Sequence, residues 1–153
     1  MSVAFRREGD EEHLEPKFEL PIPPGPNLVT PRGLGLIRAK GAEIEARLAD
    51  LNDEADIKAT RRELRYWITR AATAQLVDTP DGSCVAFGTT VSFRLNGKTR
   101  EITIVGDDEA DPAAGLLSFS APLCRAMMEA EPGEKVDFGG KAEALEVLSV
   151  RPA

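Results

Sequence analysis

Four carboxylates stand close together in the stretch IVGDDEADPAAGLLSFSAP (104–122), namely Asp107, Asp108, Glu109 and Asp111. Clustered carboxylates can bind a hard divalent cation or, where two of them converge in a pocket, act as general acid and base. The stretch lacks the alternating oxygen ligands and the sixth-position glycine of an EF-hand calcium loop. Three interpretations therefore stay open for these residues: a metal site, a catalytic pair, or a polar turn between two strands.

A second group of charged residues lies in the N-terminal half. A short polar link contains Asp53, Glu54 and Asp56. Acids in this position suit the start of a following helix, where backbone N–H groups have no intrahelical acceptor. The helix predicted after the link carries a basic stripe, defined here as Lys58, Arg61, Arg62 and Arg65. Such a stripe is either a solvated helix face or a surface for phosphate groups or an acidic protein.

The composition argues against several classes of function. The formal net charge of −7 disfavours nucleic-acid binding by bulk charge, and no apolar run approaches the roughly 18 residues of a membrane-spanning helix. The one histidine, His13, lies in a charged N-terminal segment, which argues against a histidine-based triad. Since the N-terminus has no apolar signal core and Cys84 and Cys124 lie far apart, we expect a cytoplasmic protein with reduced thiols and no metal site of its own.

The spacing of apolar residues predicts two helices that position the charges of the N-terminal half. Residues 1–29 are rich in charge and proline and are predicted to form a flexible tail. Thr30 and Pro31 then make a good helix start. Apolar residues recur at alternating steps of three and four over 31–51 and again over 57–76. Because neither helix has enough apolar surface to be stable alone, we expect an antiparallel coiled coil over 30–78.

After residue 78 the apolar period changes to two, which predicts strands. The candidate strands cover 84–95, 100–105, 116–120, 135–138 and 143–150, with tight turns at Asn96–Gly97 and Gly139–Gly140. A short amphipathic helix is predicted over 121–130, with Ser120 as its cap and with Met127 and Met128 packing in the core. The predicted fold class is therefore α+β: a helical hairpin followed by an antiparallel sheet domain, 79–153, with one short helix.

Ordered motifs in both halves of the chain carry a resemblance to a known family. They are the acidic stretch with the LCRAMMEAEPGEKVDF that follows it (104–138), FGTTVSF (87–93), VTPRGL (29–34) and AQLVD (74–78). Together they resemble the Gre family of bacterial transcription elongation factors (GreA/GreB-like). The resemblance implies a monomer whose FKBP-like C-terminal domain binds bacterial RNA polymerase at its secondary channel. It also makes the acidic stretch a fold-defining turn of that domain and implies a polymerase contact at Ser120, Ala121, Pro122 and Arg125.

The coiled coil departs from the pattern of the family that it resembles. In that family, acids at the tip of the coil hold a catalytic Mg²⁺ with which the polymerase cleaves a backtracked transcript. This chain lacks the tip motif, and its coil is shorter by about ten residues per helix, or roughly 15 Å of reach. The short coil resembles that of Rnk-type relatives, which bind polymerase without the cleavage tip. We therefore expect modulation of elongation, with stimulation of cleavage weak or absent.

Three alternative functions are also considered. The chain would be a true transcript-cleavage factor, holding Mg²⁺ jointly with the polymerase, if Asp53, Glu54 and Asp56 reach the active centre. An FKBP-like domain also suggests prolyl isomerase activity, but that activity uses an aromatic-lined pocket and only 5% of the residues here are aromatic. The basic stripe could contact nascent RNA, although the overall acidity disfavours nucleic-acid binding as the sole function.

Overall fold

The computed structural model describes residues 19–153, so most of the predicted tail, residues 1–18, lies outside the described residues. The described residues form two compact units, 19–25 with 37–73 and 26–36 with 74–153. The first, called here the hairpin unit, contains most of two long helices. The second, called the sheet unit, contains the strands and a short helix.

The two long helices are α1 (Pro31–Ala49) and α2 (Glu54–Thr73). Helix α1 begins at its predicted residue, whereas α2 begins at Glu54, three residues before the predicted residue 57. The backbone N–H of Gly33 donates to Thr30 Oγ1 at 2.9 Å, and the backbone N–H of Asp56 donates to Asp53 Oδ2 at 3.1 Å. A side-chain acceptor just before a helix satisfies an N–H group that has no partner within it, so each cap favours a helix start at this residue.

The residues of the predicted apolar seams are buried or half-buried. Ile44 of α1 is fully buried, and Trp67 of α2 is half-buried. A β-carbon added at Gly41 would lie 3.9 Å from Trp67 Cβ, and Arg47 forms an ion pair with Glu63 at 2.8 Å. From Gly41 to Arg47 the residue number in α1 increases, whereas the contacting residue in α2 changes from Trp67 to Glu63. The two helices are therefore antiparallel. The predicted helical hairpin is thereby confirmed.

Helix α2 ends three residues earlier than predicted, at Thr73 rather than residue 76. The reason is a two-stranded parallel sheet, in which β1 (Leu28–Val29) pairs with β2 (Gln75–Leu76). The backbone N–H of Gln75 donates to the carbonyl oxygen of Asn27 at 2.8 Å, so the chain is already in an extended conformation there. Residues 28 and 29, which the sequence assigns to the tail, thus belong to the sheet unit.

The main sheet has five strands in the order β5-β4-β3-β7-β6. They are β3 (Thr89–Leu95), β4 (Lys98–Val105), β5 (Leu116–Ser118), β6 (Lys135–Phe138) and β7 (Lys141–Pro152). Strand β3 pairs antiparallel with β4 and β7, and β6 pairs antiparallel with β7. Both predicted turns are confirmed: Asn96, Gly97, Gly139 and Gly140 have positive φ, as two-residue hairpin turns with primed geometry require.

One pairing differs from the predicted antiparallel sheet, because β5 runs parallel to β4 with Thr103 opposite Leu116. A two-residue turn can join antiparallel neighbours, whereas parallel neighbours need a longer connection. Residues 106–115, which contain most of the acidic stretch and a short 3-10 turn (Pro112–Ala114), supply that connection. The sheet is therefore mixed, and the fold class remains α+β.

Two further boundaries differ from the prediction. Strand β3 starts at Thr89 rather than at residue 84, and the short helix α3 covers Pro122–Met127 rather than 121–130. The reason is a local pairing in which the N–H of Val85 donates to Ala130 O at 2.8 Å and the N–H of Glu129 donates to Val85 O at 2.7 Å. Ser120 does not cap α3, because the preceding extended residue is Ala121 and no side chain accepts from the first turn.

Helix α3 is held on the sheet by its buried face. Cys124 and Met127 are fully buried, as the core prediction for Met127 requires, and Leu123 packs beside them. They contact a cluster of strand and loop residues that includes Val91, Phe93, Ile104 and Val147. Fully burying one such apolar side chain contributes about 1.5–3 kcal/mol, so the position of α3 is well determined. The opposite face of the helix is left in solvent.

Candidate functional site

Glu109, in the middle of the acidic stretch, is a buried carboxylate that holds the start of α1. Its side chain is 5% exposed. Thr30 Oγ1 donates to Glu109 Oε1 at 2.6 Å, and Arg32 Nη1 donates to Glu109 Oε2 at 2.8 Å. A carboxylate that accepts hydrogen bonds from a hydroxyl and a guanidinium in a buried position is a structural anchor. The structure thus joins two of the sequence motifs, VTPRGL and the acidic stretch.

Asp107 and Asp111 of the same stretch have partners other than those of Glu109. Asp107 Oδ1 accepts a hydrogen bond from Ser118 Oγ at 2.6 Å and a longer one from Ser120 Oγ at 3.3 Å. Asp111 acts through its backbone, exchanging two hydrogen bonds with Leu116 at 2.8 and 3.1 Å. Within residues 19–153 no group of three or more histidine, cysteine, aspartate or glutamate side chains could hold a metal ion. Of the three interpretations, the structure agrees with a turn that connects two strands.

Two glycines of the motifs allow this close packing. A β-carbon at Gly33 would lie 2.7 Å from Glu109 Oε1, and a β-carbon at Gly106 would overlap the carbonyl oxygen of Leu28. Neither position has room for a larger residue without movement of the backbone or of Glu109. The two glycines therefore allow the VTPRGL segment and the acidic stretch to pack closely, a constraint that the sequence alone does not reveal.

The four residues assigned to partner binding lie together at the start of α3. Ser120, Pro122 and Arg125 are exposed and Ala121 is half-buried. Arg125 follows Pro122 by three positions on the helix, so their side chains share a face. The hydroxyl group of Ser120 forms hydrogen bonds with Asp107 and Ser118, which hold its side chain in place. These four residues form one surface, called here the α3 patch, on a rigid support.

The acids of the hairpin link are at the exposed end of the hairpin. Asp53 accepts the backbone N–H of Asp56 and thus caps α2, as predicted. Glu54 and Asp56 lie in the first helical turn, where a negative charge favours the unpaired N–H groups of the helix. All three side chains are exposed. Capping occupies one carboxylate oxygen of Asp53 and leaves the other oxygen and both neighbouring carboxylates in solvent.

Three members of the basic stripe, Lys58, Arg61 and Arg65, are exposed, and Arg62 is half-buried. Arg65 donates to both carboxylate oxygens of Glu19, from Nε at 3.0 Å and from Nη2 at 2.5 Å. These hydrogen bonds hold the pKa of Glu19 below its ordinary value, and the charges of Arg65 and Arg62 add to the effect. The pair could not be predicted from local sequence, because the two residues are 46 positions apart.

The sheet unit contains a cleft of about 540 Å³ lined by residues that include Thr30, Arg32, Thr90, Thr103 and Val105. No aromatic side chain lines this cleft in the part of the chain that the structure describes. The lining therefore offers no support for the prolyl isomerase alternative. The two cysteines are free thiols in the structure, and burial raises the pKa of Cys124 to about 11, which makes it a core residue rather than a nucleophile.

None of the helices within residues 19–153 combines the length and the apolar character that a membrane span requires.

Comparisons with known proteins agree on one family. A family profile described as the C-terminal domain of transcription elongation factors GreA/GreB matches residues 79–152. The transcription elongation factor GreA of Caulobacter vibrioides is 38% identical over 116 residues, which are 66% of this chain and 73% of the relative. GreA of Mesoplasma florum is 39% identical over 88 residues, and the chain spans 56% of that relative's length. A solved GreA/GreB factor from Nitrosomonas europaea aligns over 84% of this chain and 99% of its own, at 18% identity and a TM-score of 0.40, too low for a structural comparison.

Proposed function

The chain belongs to the GreA/GreB family of transcription elongation factors, and we propose that it binds RNA polymerase through the α3 patch and modulates elongation. The proposal places it in the bacterial cytoplasm, where the polymerase is, with the hairpin entering the secondary channel of the enzyme. It acts as an accessory factor, because any cleavage chemistry takes place in the polymerase active site.

The observation that carries this proposal is the construction of the α3 patch. Pro122 and Arg125 are exposed, while their neighbours Leu123, Cys124 and Met127 are fixed in the core of the sheet unit. A rigid exposed proline beside an arginine is a suitable docking surface, since little conformational entropy is lost on binding and arginine is enriched at such contacts. The resemblance of this segment to the family implies a polymerase contact at the same residues.

A substitution at Pro122 tests the docking surface. Pro122→Glu would place a charge in a desolvated contact, and we expect polymerase binding to weaken by about 2–4 kcal/mol, or roughly 30- to 1000-fold. The matched control is Pro112→Glu, which puts the same charge on an exposed proline of the 3-10 turn. Circular dichroism would first show that both variants fold. Equal affinity of Pro122→Glu and wild type for core polymerase would contradict the assignment.

We further propose that the factor stimulates transcript cleavage weakly or not at all and acts by occupying the channel. Asp53 caps α2 through one oxygen, and residues 50–53 make a tight link with little freedom to rearrange. A metal site would need its oxygen ligands placed to within about 0.2 Å. The alternative, a true cleavage factor, rests on the second oxygen of Asp53 and on the exposed carboxylate of Glu54, which the link leaves in solvent.

Backtracked elongation complexes with Mg²⁺ and increasing factor separate the two modes. Channel occupancy predicts inhibition of elongation without shortening of the RNA. Robust shortening of the 3′ end would favour the cleavage mode, and Asp53→Asn with Glu54→Gln should then abolish it. The asparagine can still cap α2, so a loss of cleavage in this variant would not reflect a destabilised helix.

The basic stripe is proposed to speed association with the polymerase or with nascent RNA. Exposed charges contribute about 0–1 kcal/mol to stability but steer encounters over longer distances. Reversing the charges of Arg62 and Arg65 should therefore slow binding at low salt while the folded state persists. If the association rate at low salt does not change, the stripe is an ordinary solvated face.

A further inference from the structure

A groove of about 280 Å³ lies between the two helices of the hairpin unit. Its lining is mostly apolar, and one of the lining residues, Ile68, is 57% exposed. Gly41, Ala42 and Ala71 also line the groove, and their small side chains leave the space between the helix backbones unfilled. The groove therefore has room for apolar side chains from another molecule.

Two charged residues of α1, Arg38 and Glu45, also line the groove. The other charged residues of α1 all form ion pairs within the chain: Arg32 with Glu109 at 2.8 Å, Lys40 with Glu43 at 3.7 Å, and Arg47 with Glu63 at 2.8 Å. Neither Arg38 nor Glu45 forms an ion pair with any residue in the described range 19–153. The two charges of α1 that lack a partner in that range are therefore the two at the groove.

The spacing of these two charges is complementary to that of a second copy of the same helix. Seven residues make about two full turns, so Arg38 and Glu45 lie on one face of α1 roughly 10 Å apart. The midpoint between them falls between Gly41 and Ala42, whose small side chains allow another backbone to approach closely. When two copies of α1 cross there in antiparallel directions, Arg38 of each copy faces Glu45 of the other, as two-fold symmetry requires.

The exposed apolar residue of the groove fits the same arrangement. A β-carbon at Gly41 would lie 3.9 Å from Trp67 Cβ, so Ile68, the next residue of α2, lies level with the crossing point between Gly41 and Ala42. In an antiparallel pair of hairpins, α1 lies on α1 and α2 lies on α2, which brings Ile68 of one copy onto Ile68 of the other. This contact removes apolar surface of both copies from water, which favours association.

From these observations we propose that two copies of the chain associate groove to groove, as an antiparallel four-helix bundle with two reciprocal Arg38–Glu45 ion pairs. The contact covers only about two turns of each helix, which is less than the roughly 800 Å² per partner of a stable interface. Association is therefore weak, with a dissociation constant on the order of 100 µM. This dimer differs from the monomer that the family resemblance implies, and it goes beyond the proposed function because it needs no polymerase.

Sedimentation velocity of the full chain tests the association. We expect the wild type to change from monomer to dimer between about 5 and about 500 µM, a range that brackets the expected dissociation constant. Ile68→Ser should weaken association by about 10-fold or more, because it removes the exposed apolar side chain at the crossing point. The matched control is Leu76→Ser, which changes a similarly exposed apolar residue of the sheet unit and should associate as the wild type does. A wild type that stays monomeric at the highest concentration would overturn the proposal.

Charge reversal tests the arrangement of the two copies. Arg38→Glu places acids opposite acids and Glu45→Arg places arginines opposite arginines, so each variant alone should associate about 10-fold more weakly or worse. An equal mixture of the two variants restores both ion pairs between unlike copies and should associate about as well as the wild type. Lys40→Glu is the control, because it makes the same change in net charge on the opposite face of α1 and should keep the association of the wild type. A mixture that associates no better than its separate components would overturn the arrangement.

Discussion

Replacing Glu109 with alanine should destabilise the sheet unit, because this carboxylate ties the acidic stretch to the first turn of α1. The change removes the acceptor of the bonds from Thr30 at 2.6 Å and from Arg32 at 2.8 Å. It leaves the threonine hydroxyl without that acceptor and creates space beside Gly33, whose backbone packs against the carboxylate.

The structure sets the size of the effect. A hydrogen bond to a charged group contributes about 1.5–3 kcal/mol, and this value applies to the bond from Thr30 because Glu109 is buried. The Arg32 side chain is 63% exposed, so solvent screening reduces its share to about 0–1 kcal/mol. We therefore expect a total loss of about 2–4 kcal/mol, or roughly 4–16 °C in melting temperature for a chain of this size.

Urea denaturation followed by circular dichroism measures the loss. The matched control is Glu101→Ala, which removes a half-exposed carboxylate of the same unit that is also paired with an arginine at 2.9 Å. The control should cost no more than about 1 kcal/mol. A double-mutant cycle with Thr30→Val should give a coupling energy of about 1 kcal/mol or more, because the two groups are in contact.

Equal stability losses in the Glu109→Ala and Glu101→Ala variants would show that Glu109 stabilises the fold no more than an exposed ion pair does. So would a coupling energy near zero between Glu109 and Thr30, since it would mean that the short contact carries no free energy. In either case the acidic stretch would be an ordinary polar turn, and the joining of the two motifs would have no energetic consequence.

Two further predictions concern the same unit. The hydrogen bond from Arg151 holds the pKa of Glu101 below its ordinary value, so Arg151→Gln should raise it in a carboxyl titration by nuclear magnetic resonance. Because the pKa of Glu101 is lower in the folded protein than in the unfolded chain, the ionised carboxylate stabilises the fold at pH values above the unfolded pKa. This stabilisation is lost as the pH falls through the folded pKa, so the difference in stability between the wild type and Arg151→Gln should vanish in acid. A difference that persists in acid would contradict the prediction. In Gly106→Ala the new β-carbon would overlap Leu28 O, so we expect the free energy of unfolding to fall by about 1–3 kcal/mol in thermal denaturation. Gly35→Ala, where the new β-carbon meets no other atom, should leave stability unchanged or raise it. Equal melting temperatures of the two variants would show that Gly106 is not sterically constrained.

Local signals in the sequence were enough to predict several elements. The alternating three- and four-residue spacing gave both helices, because burial on one helix face depends on a period that is visible in the chain itself. Thr30 marked the start of α1 for the same kind of reason, since a cap accepts from an N–H group only three residues away. The start of α2 was predicted at residue 57, whereas the cap at Asp53 lets the helix begin at Glu54. The hairpin turn at Asn96–Gly97 likewise depends on the φ preferences of its own two residues.

The tertiary structure decided the features that depend on distant residues. Glu109 is one of four acids that are equivalent in the sequence, and its role comes from Thr30 and Arg32, 79 and 77 positions away. Partners from other segments likewise determine where α3 ends, why β5 pairs parallel with β4, and why β1 pairs with β2. Such contacts form only when the whole chain packs, because burial and steric fit then outweigh the preferences of each segment by itself.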